Sequence, residues 1–174
     1  MTDARTFETH FREVFTREHP SLVRYLARLT GDPALAADAA QDAFIRLHER
    51  GAMPEEPRSW LVAVAHNRVR DDRRAEARHL RLHGNAGDLP AADPAPAPDI
   101  ALETDERRRA VRTVLDAMSA RDRRLLLLRY EGYSYRELAA ALGVSEASVG
   151  ALLARAHSRF ARQYTGGRRA PETP

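Results

Sequence analysis

Arginine has the most chemistry to offer in this sequence. All 28 basic side chains are Arg, and no Lys occurs. A guanidinium forks onto phosphates and guanine edges, where an ammonium acts as a point charge. From His66 the chain reads HNRVRDDRRAEARHLRLH, which sets Arg68, Arg70, Arg73, Arg74, Arg78 and Arg81 against Asp71, Asp72 and Glu76. Asn67 both donates and accepts, as reading a base edge requires, and neighbouring arginines can hold phosphates. A solvated helix laced by i, i+3 and i+4 ion pairs accounts for the same residues without a ligand. A second cationic group, Arg155, Arg159, Arg162, Arg168 and Arg169, follows Glu146 with no intervening acid. A third constellation is acidic. Asp38, Gln41 and Asp42 share about one helical turn, beside Phe44 and Ile45. An acidic rim next to an exposed aromatic suits the basic helix of a protein partner, although a solvated acidic face is the default.

Chemistry beyond binding is not expected. The chain has no Cys, which excludes disulfides and thiolate zinc sites. His66 and Asp71 lie off one another's helical face, so they do not make the i, i+3 or i+4 ligand pairs of helical metal sites. There is no glycine-rich phosphate loop. The sequence therefore predicts no catalytic residue, no metal and no cofactor. Asp3, Arg5, Glu8 and Arg12 interrupt the start of the chain, where a signal peptide would be apolar. No uncharged apolar run approaches the ~18–20 residues of a membrane span, so a soluble, cytoplasmic protein is expected. The formal net charge of +3 is too mild to announce nucleic-acid binding, and the distribution of charge has to decide.

The elements that would position these residues are helical. Phe7, Phe11, Val14 and Phe15 form one apolar stripe. Pro20 is placed to open a second helix carrying Leu22, Tyr25, Leu26 and Leu29, which Gly31 ends. Asp32-Pro33 reads as N-cap and first turn of a helix running to about Arg50 before Gly51. GAMPEEP (Gly51–Pro57) reads as a loop, and Trp60, Leu61, Val64, Ala65 and Val69 pattern a long helix to about Leu82. His83–Asp99, rich in Pro, Ala and Gly, predicts a flexible, semi-stiff linker. The expected organisation is all-α: one helical domain at 1–82, a linker at 83–99, a second domain at 100–167 and a tail at 168–174.

In the second domain Val111, Val114, Leu115 and Met118 line one helix. Ser119 caps a helix carrying Leu125–Leu128, which Gly132 closes. Ser134-Tyr-Arg-Glu137 has the form of a capping box. A short helix then reaches Gly143-Val144-Ser145, and Ser145 is expected to cap a long last helix. A capped short helix, a tight glycine turn and a second capped helix make a helix-turn-helix, the shape that places one α-helix in the major groove. A plain helical hairpin within a bundle is the competing reading.

These elements, in this order, resemble the extracytoplasmic-function sigma factors, the small group-4 branch of the bacterial sigma family. LTGDPALAADAAQDAFIRLHER (Leu29–Arg50) resembles their polymerase-clamp helix. RSWLVAVAHNRVRDDRRAEAR (Arg58–Arg78) resembles their −10 segment. LLLLRYEGYSYRELAAALGVSEASVGALLARAHSRF (Leu125–Phe160) resembles their −35-reading helix-turn-helix. The resemblance implies a sigma factor that binds core RNA polymerase and directs promoter-specific initiation. Asp38, Gln41, Asp42 and Phe44 would face the polymerase clamp, and the surface around Leu125–Leu128 would partly meet the flap. The Gly51–Pro57 loop would hold a flipped −10 base. Trp60, Asn67, Arg68, Arg70 and Arg74 would contact the −10 element. Ser145, Glu146, Ser148, Arg155 and Arg159 would lie in or beside the −35 major groove. The resemblance also implies an anti-sigma partner. Where the family often carries a cationic run after Val149, this chain has Gly150-Ala151-Leu152, which puts direct −35 readout in doubt. A stand-alone helix-turn-helix regulator is the alternative.

Overall fold

The computed structural model describes residues 2–83 and 100–167, with side chains described for 5–79 and 105–166; of the linker expected at 83–99, His83 is helical and 84–99 lies outside the described residues, as does the tail (168–174). Those residues form seven α-helices and no strand: α1 (Thr2–Thr30), α2 (Pro33–Arg50), α3 (Pro57–His83), α4 (Ile100–Ala117), α5 (Ala120–Tyr130), α6 (Tyr135–Leu142) and α7 (Glu146–Gly167).

The first three helices make one module. Pro20 does not open a new helix, as the sequence suggested; it lies inside a continuous α1. A proline there removes one intrahelical hydrogen bond. It is tolerated because the apolar stripe does not break at it: Val14, Leu22, Tyr25, Leu26 and Leu29 continue as buried residues of α1, which packs against α2, α3 and α5. The opposing face of α2 is small. Ala36, Ala39, Ala40 and Ala43 are fully buried, which lets the two backbones approach closely. α2 starts as expected: Asp32 Oδ1 accepts from the N–H groups of Ala34 (2.9 Å) and Leu35 (3.0 Å). Gly51 ends it at φ 66°, in the left-handed region that a glycine enters without strain.

The helices α4–α7 make the second module. Ser119 Oγ accepts from the Asp122 N–H at 3.2 Å, which caps α5. The capping box of α6 is complete: Glu137 N–H donates to Ser134 Oγ (3.2 Å) and Ser134 N–H to Glu137 Oε2 (2.7 Å). Gly143, at φ 66°, turns the chain, and α6 and α7 meet at a 90° bend. Ser145 does not cap α7 in the expected way. Its hydroxyl donates to Ser148 Oγ (3.0 Å), which donates back to the Ser145 carbonyl (2.7 Å), so the two hydroxyls satisfy one another.

The two modules are docked together. Their buried residues join one continuous core, in which Leu22, Tyr25 and Leu61 belong to the same cluster as Leu128, Tyr133 and Leu138. The docking runs through α3 on α6 and α1 on α5. Among the described residues no single helix is long and apolar enough to cross a membrane.

Candidate nucleic-acid interface

In a helix-turn-helix, a supporting helix holds the recognition helix at a steep angle and leaves its outer face bare for the major groove. The bend between α6 and α7 gives that angle. Leu138 and Ala139 of α6 and Val149, Leu152, Leu153 and Ala156 of α7 are buried and fix the pair. The outer face of α7 then presents Ser145, Glu146, Ala147, Ala151, Ala154 and Arg155, all exposed, with Ser148 half-buried. Gly150 lies beside the Tyr135 ring, where a Cβ would make an ordinary 3.6 Å contact. Leu152 is core, so the cations absent from this stretch concern positions 150 and 151.

Arg159 stands apart from the rest of the expected −35 set. Its Nη1 lies 2.5 Å from Oδ2 of Asp122, whose side chain is 3% exposed. A buried carboxylate requires a paired cation, so this guanidinium ties α7 to α5. The sequence offered no sign of it, because Asp122 and Arg159 are distant in the chain.

The cationic face of α3 is open. Asn67, Arg68, Arg70, Arg73 and Arg74 are exposed, while Val69 points into the core. Asn67 Oδ1 accepts from Arg70 Nη2 at 3.1 Å, and Arg68 pairs with Asp72 at 3.1 Å. These are solvent-exposed i, i+3 and i+4 contacts, cheap to exchange for a phosphate or a base edge. Trp60 is half-buried in the first turn of α3, with the Arg50 guanidinium 5.9 Å from its ring.

On α2, Asp38 and Gln41 are exposed, and Asp42 pairs with Arg46 at 2.7 Å. Phe44 is not the exposed aromatic that the sequence suggested. It is 3% exposed, with its ring against Phe15 (4.9 Å between centroids) and Phe11 (6.3 Å). The exposed apolar residue beside the acids is Ile45, 47% exposed. Leu125, Leu127 and Leu128 are likewise core, so that run is not a free surface; only Leu126 is partly exposed.

Arg58, Glu18, Tyr133, Glu131, Arg24 and Arg28, at the junction of the modules, were not singled out from sequence. Arg58, at the start of α3, reaches into the corner between α5 and α6. Its Nη2 donates to the Glu131 carbonyl (3.1 Å) and its Nη1 to that of Gly132 (3.4 Å). Its Nε pairs with Glu18 of α1 at 2.6 Å, and Nη1 lies 3.4 Å from the Glu137 carboxylate. Its guanidinium sits 3.9 Å from the ring centre of Tyr133, a buried residue whose phenol burial pushes up to about 12. Glu131, its side chain 4% exposed, pairs with Arg24 (3.1 Å) and Arg28. Buried carboxylates facing arginines across a long sequence separation leave no periodic trace. The one local hint is an aromatic placed between Gly132 and Ser134. Among the described residues no three His, Asp or Glu side chains are grouped to hold a metal.

Two helical modules, one a helix-turn-helix and the other bearing an Asn/Arg face, define a DNA-binding factor. Sigma-70 region 2 matches residues 14–79 and sigma-70 region 4 matches 108–159. The chain is 30% identical over 155 residues to the ECF RNA polymerase sigma factor SigL of Mycobacterium tuberculosis, covering 86% of each. It is 39% identical over 138 residues to the probable RNA polymerase sigma factor RfaY of Xanthomonas campestris, covering 75% of this chain but about a third (34%) of that protein. The sigma factor RpoE of Bartonella quintana, solved in complex with the anti-sigma factor NepR, has the same fold: TM-score 0.66, 20% identity, 92% of this chain and 99% of that one. The chain belongs to the extracytoplasmic-function sigma factors, whose work is promoter-specific initiation by RNA polymerase.

Proposed function

We propose that this chain docks on the clamp of core polymerase through the α2 surface of Asp38, Gln41, Asp42 and Ile45. In this reading Phe44 acts from beneath, fixing α2 against α1. The exposed face of α3 (Asn67, Arg68, Arg70, Arg74), with Trp60 and the 51–57 loop, takes the −10 element. Unpaired bases there can be stacked and read on their edges. The outer face of α7 (Ser145, Glu146, Ser148, Arg155) takes the −35 element. Arg159 serves it indirectly by anchoring α7, and the flap meets the rim of the second module around Leu126. With small residues at 150 and 151, α7 reads fewer bases directly, and sequence-dependent DNA shape carries more of the upstream specificity.

Either module alone binds weakly. The polymerase surface and the connecting chain make the second contact effectively intramolecular. An anti-sigma partner that masks these surfaces belongs to the same reading. Since this chain has no Cys, redox sensing through thiols would fall to that partner.

The observation that carries the proposal is the coexistence, in one chain, of an open Asn/Arg helical face and a separately capped helix-turn-helix with a bare recognition surface. A stand-alone regulator has no need of the first. Reconstitution with core polymerase and a genomic DNA pool, followed by mapping of RNA 5′ ends, tests it. Core-dependent starts sharing two upstream elements are expected. Tight binding of a palindromic duplex by a dimer without polymerase would favour the alternative regulator.

A further inference from the structure

We propose that the first two turns of α7 read the upstream element through two features of the bases: thymine methyl groups, met by Ala147 and Ala151, and the amino group of cytosine, met by Glu146. Guanine goes unread by these turns. The inference rests on the reading that α7 enters the −35 major groove, and it adds which chemistry the helix uses there.

The supply of donors is the first argument. In the major groove guanine shows only acceptors, cytosine and adenine each show an amino donor, and thymine alone carries a methyl. A helix that reads guanine therefore needs a free donor on its outer face. The two serines supply none. The Ser145 hydroxyl donates to Ser148 Oγ at 3.0 Å, and that of Ser148 to the Ser145 carbonyl at 2.7 Å. Ser158, further along, donates to the Ala154 carbonyl at 2.9 Å. The backbone N–H groups at the start of a helix lie along its axis, which suits an anion at its end and not a base edge beside it. Tyr135 borders the face beside Gly150, but on the supporting helix, which crosses the DNA backbone. Arg155 comes about 13 Å after Glu146 at ~1.5 Å per residue, beyond these turns.

The groups that point outward are the second. At about 100° per residue, Ala147, Ala151 and Ala154 fall opposite the buried Val149, Leu153 and Ala156, and all three are exposed. Side chains that end at Cβ let the helix settle close to the base edges. The thymine methyl is the apolar feature this groove offers them.

Charge is the third. Glu146 is exposed at the start of α7 and pairs with no cation among the described residues. The helix dipole favours a carboxylate at this end, but DNA phosphates repel it. On a helix that faces DNA, such a group is useful where it meets an amino hydrogen, and a carboxylate accepts from cytosine N4.

The test uses holoenzyme reconstituted from the full chain and a promoter mapped from its own transcripts. Deoxyuridine in place of thymine removes the methyl alone. At one or more thymines of the upstream element it is expected to weaken promoter binding about fourfold, the value of burying one methyl group. 7-Deazaguanine, which lacks the N7 acceptor, is expected to have no effect, save at one position whose sensitivity Arg155→Ala abolishes. Glu146→Gln is expected to shift the preference at one base pair from cytosine to adenine, which an amide meets with both its donor and its acceptor. In the double variant Ala147→Gly, Ala151→Gly the protein side of the methyl contact is gone, and deoxyuridine should no longer matter. An element without thymine, or one indifferent to deoxyuridine throughout, would overturn the inference, and neither result needs a variant. So would a deoxyuridine effect that persists in the glycine variant, which marks DNA shape as its cause, or sensitivity to 7-deazaguanine at two or more positions. A promoter whose upstream element can be replaced without loss of transcription would also remove the reading of α7 on which the inference rests; an element that is required but indifferent to deoxyuridine removes the inference alone.

Discussion

Acid should weaken this fold through one buried imidazole. His66 Nε2 lies 2.5 Å from the Tyr25 hydroxyl of α1, and its Nδ1 lies 3.4 Å from Arg124 Nη1 of α5. A guanidinium only donates, so Nδ1 accepts and the Nε2 proton is given to Tyr25. Burial, and then the facing Arg124 charge, push the pKa of His66 from 6.5 down to about 3. The other groups around this contact do not offset it: burial raises the Tyr25 phenol, with Arg124, Tyr133 and Arg123 acting more weakly on it. The unfolded chain therefore takes up the proton first. The contribution of His66 to stability is complete above pH ~6.5 and shrinks by about 1.4 kcal/mol per unit below that, until pH ~3. Between pH 7.5 and 5.0 the loss is about 2 kcal/mol. Urea denaturation at both pH values, for wild type and His66→Gln, isolates it, because the carboxylates titrate in both chains. Wild type should lose about 2 kcal/mol more than the variant over this interval. Equal losses would refute the buried, neutral assignment of His66.

Two further outcomes separate structural from binding roles. Phe44→Ala should cost about 3–5 kcal/mol of stability, as for a buried aromatic, whereas Ile45→Ala should stay within ~0.5 kcal/mol and weaken core-polymerase binding; calorimetry and a core pull-down read the pair. Arg155→Ala should leave thermal stability unchanged and lower the salt slope of holoenzyme–promoter binding by about one phosphate. Arg159→Ala should instead cost about 1–2 kcal/mol of stability, an amount reduced by the half-exposed position of Arg159.

What the sequence could express was local. The caps at Asp32, Ser119 and Ser134, and the left-handed glycines at 51 and 143, are short-range chemistry, and the helix boundaries they imply are those observed. Pro20 misled because a residue's local preference carries no knowledge of the partner helix that overrides it. Phe44 misled for a related reason. It shares a turn with exposed acids, and only the arrival of α1 on the other side makes it core. The arginines of α3 and α7 look alike in the chain, yet Arg155 is exposed while Arg159 is committed to Asp122, a pairing that exists only after α5 and α7 meet. The contacts of Arg58, Tyr133 and Glu131 join distant parts of the chain, and no window of sequence contains them.

In the proposed function one chain presents two separate surfaces to a single promoter. Hydroxyl-radical footprinting of the reconstituted holoenzyme on a promoter mapped from its own transcripts reads this directly. Two protected patches are expected, near −10 and near −35, with Arg155→Ala weakening the upstream patch alone. A single patch, or one that vanishes as a unit with that substitution, would contradict it.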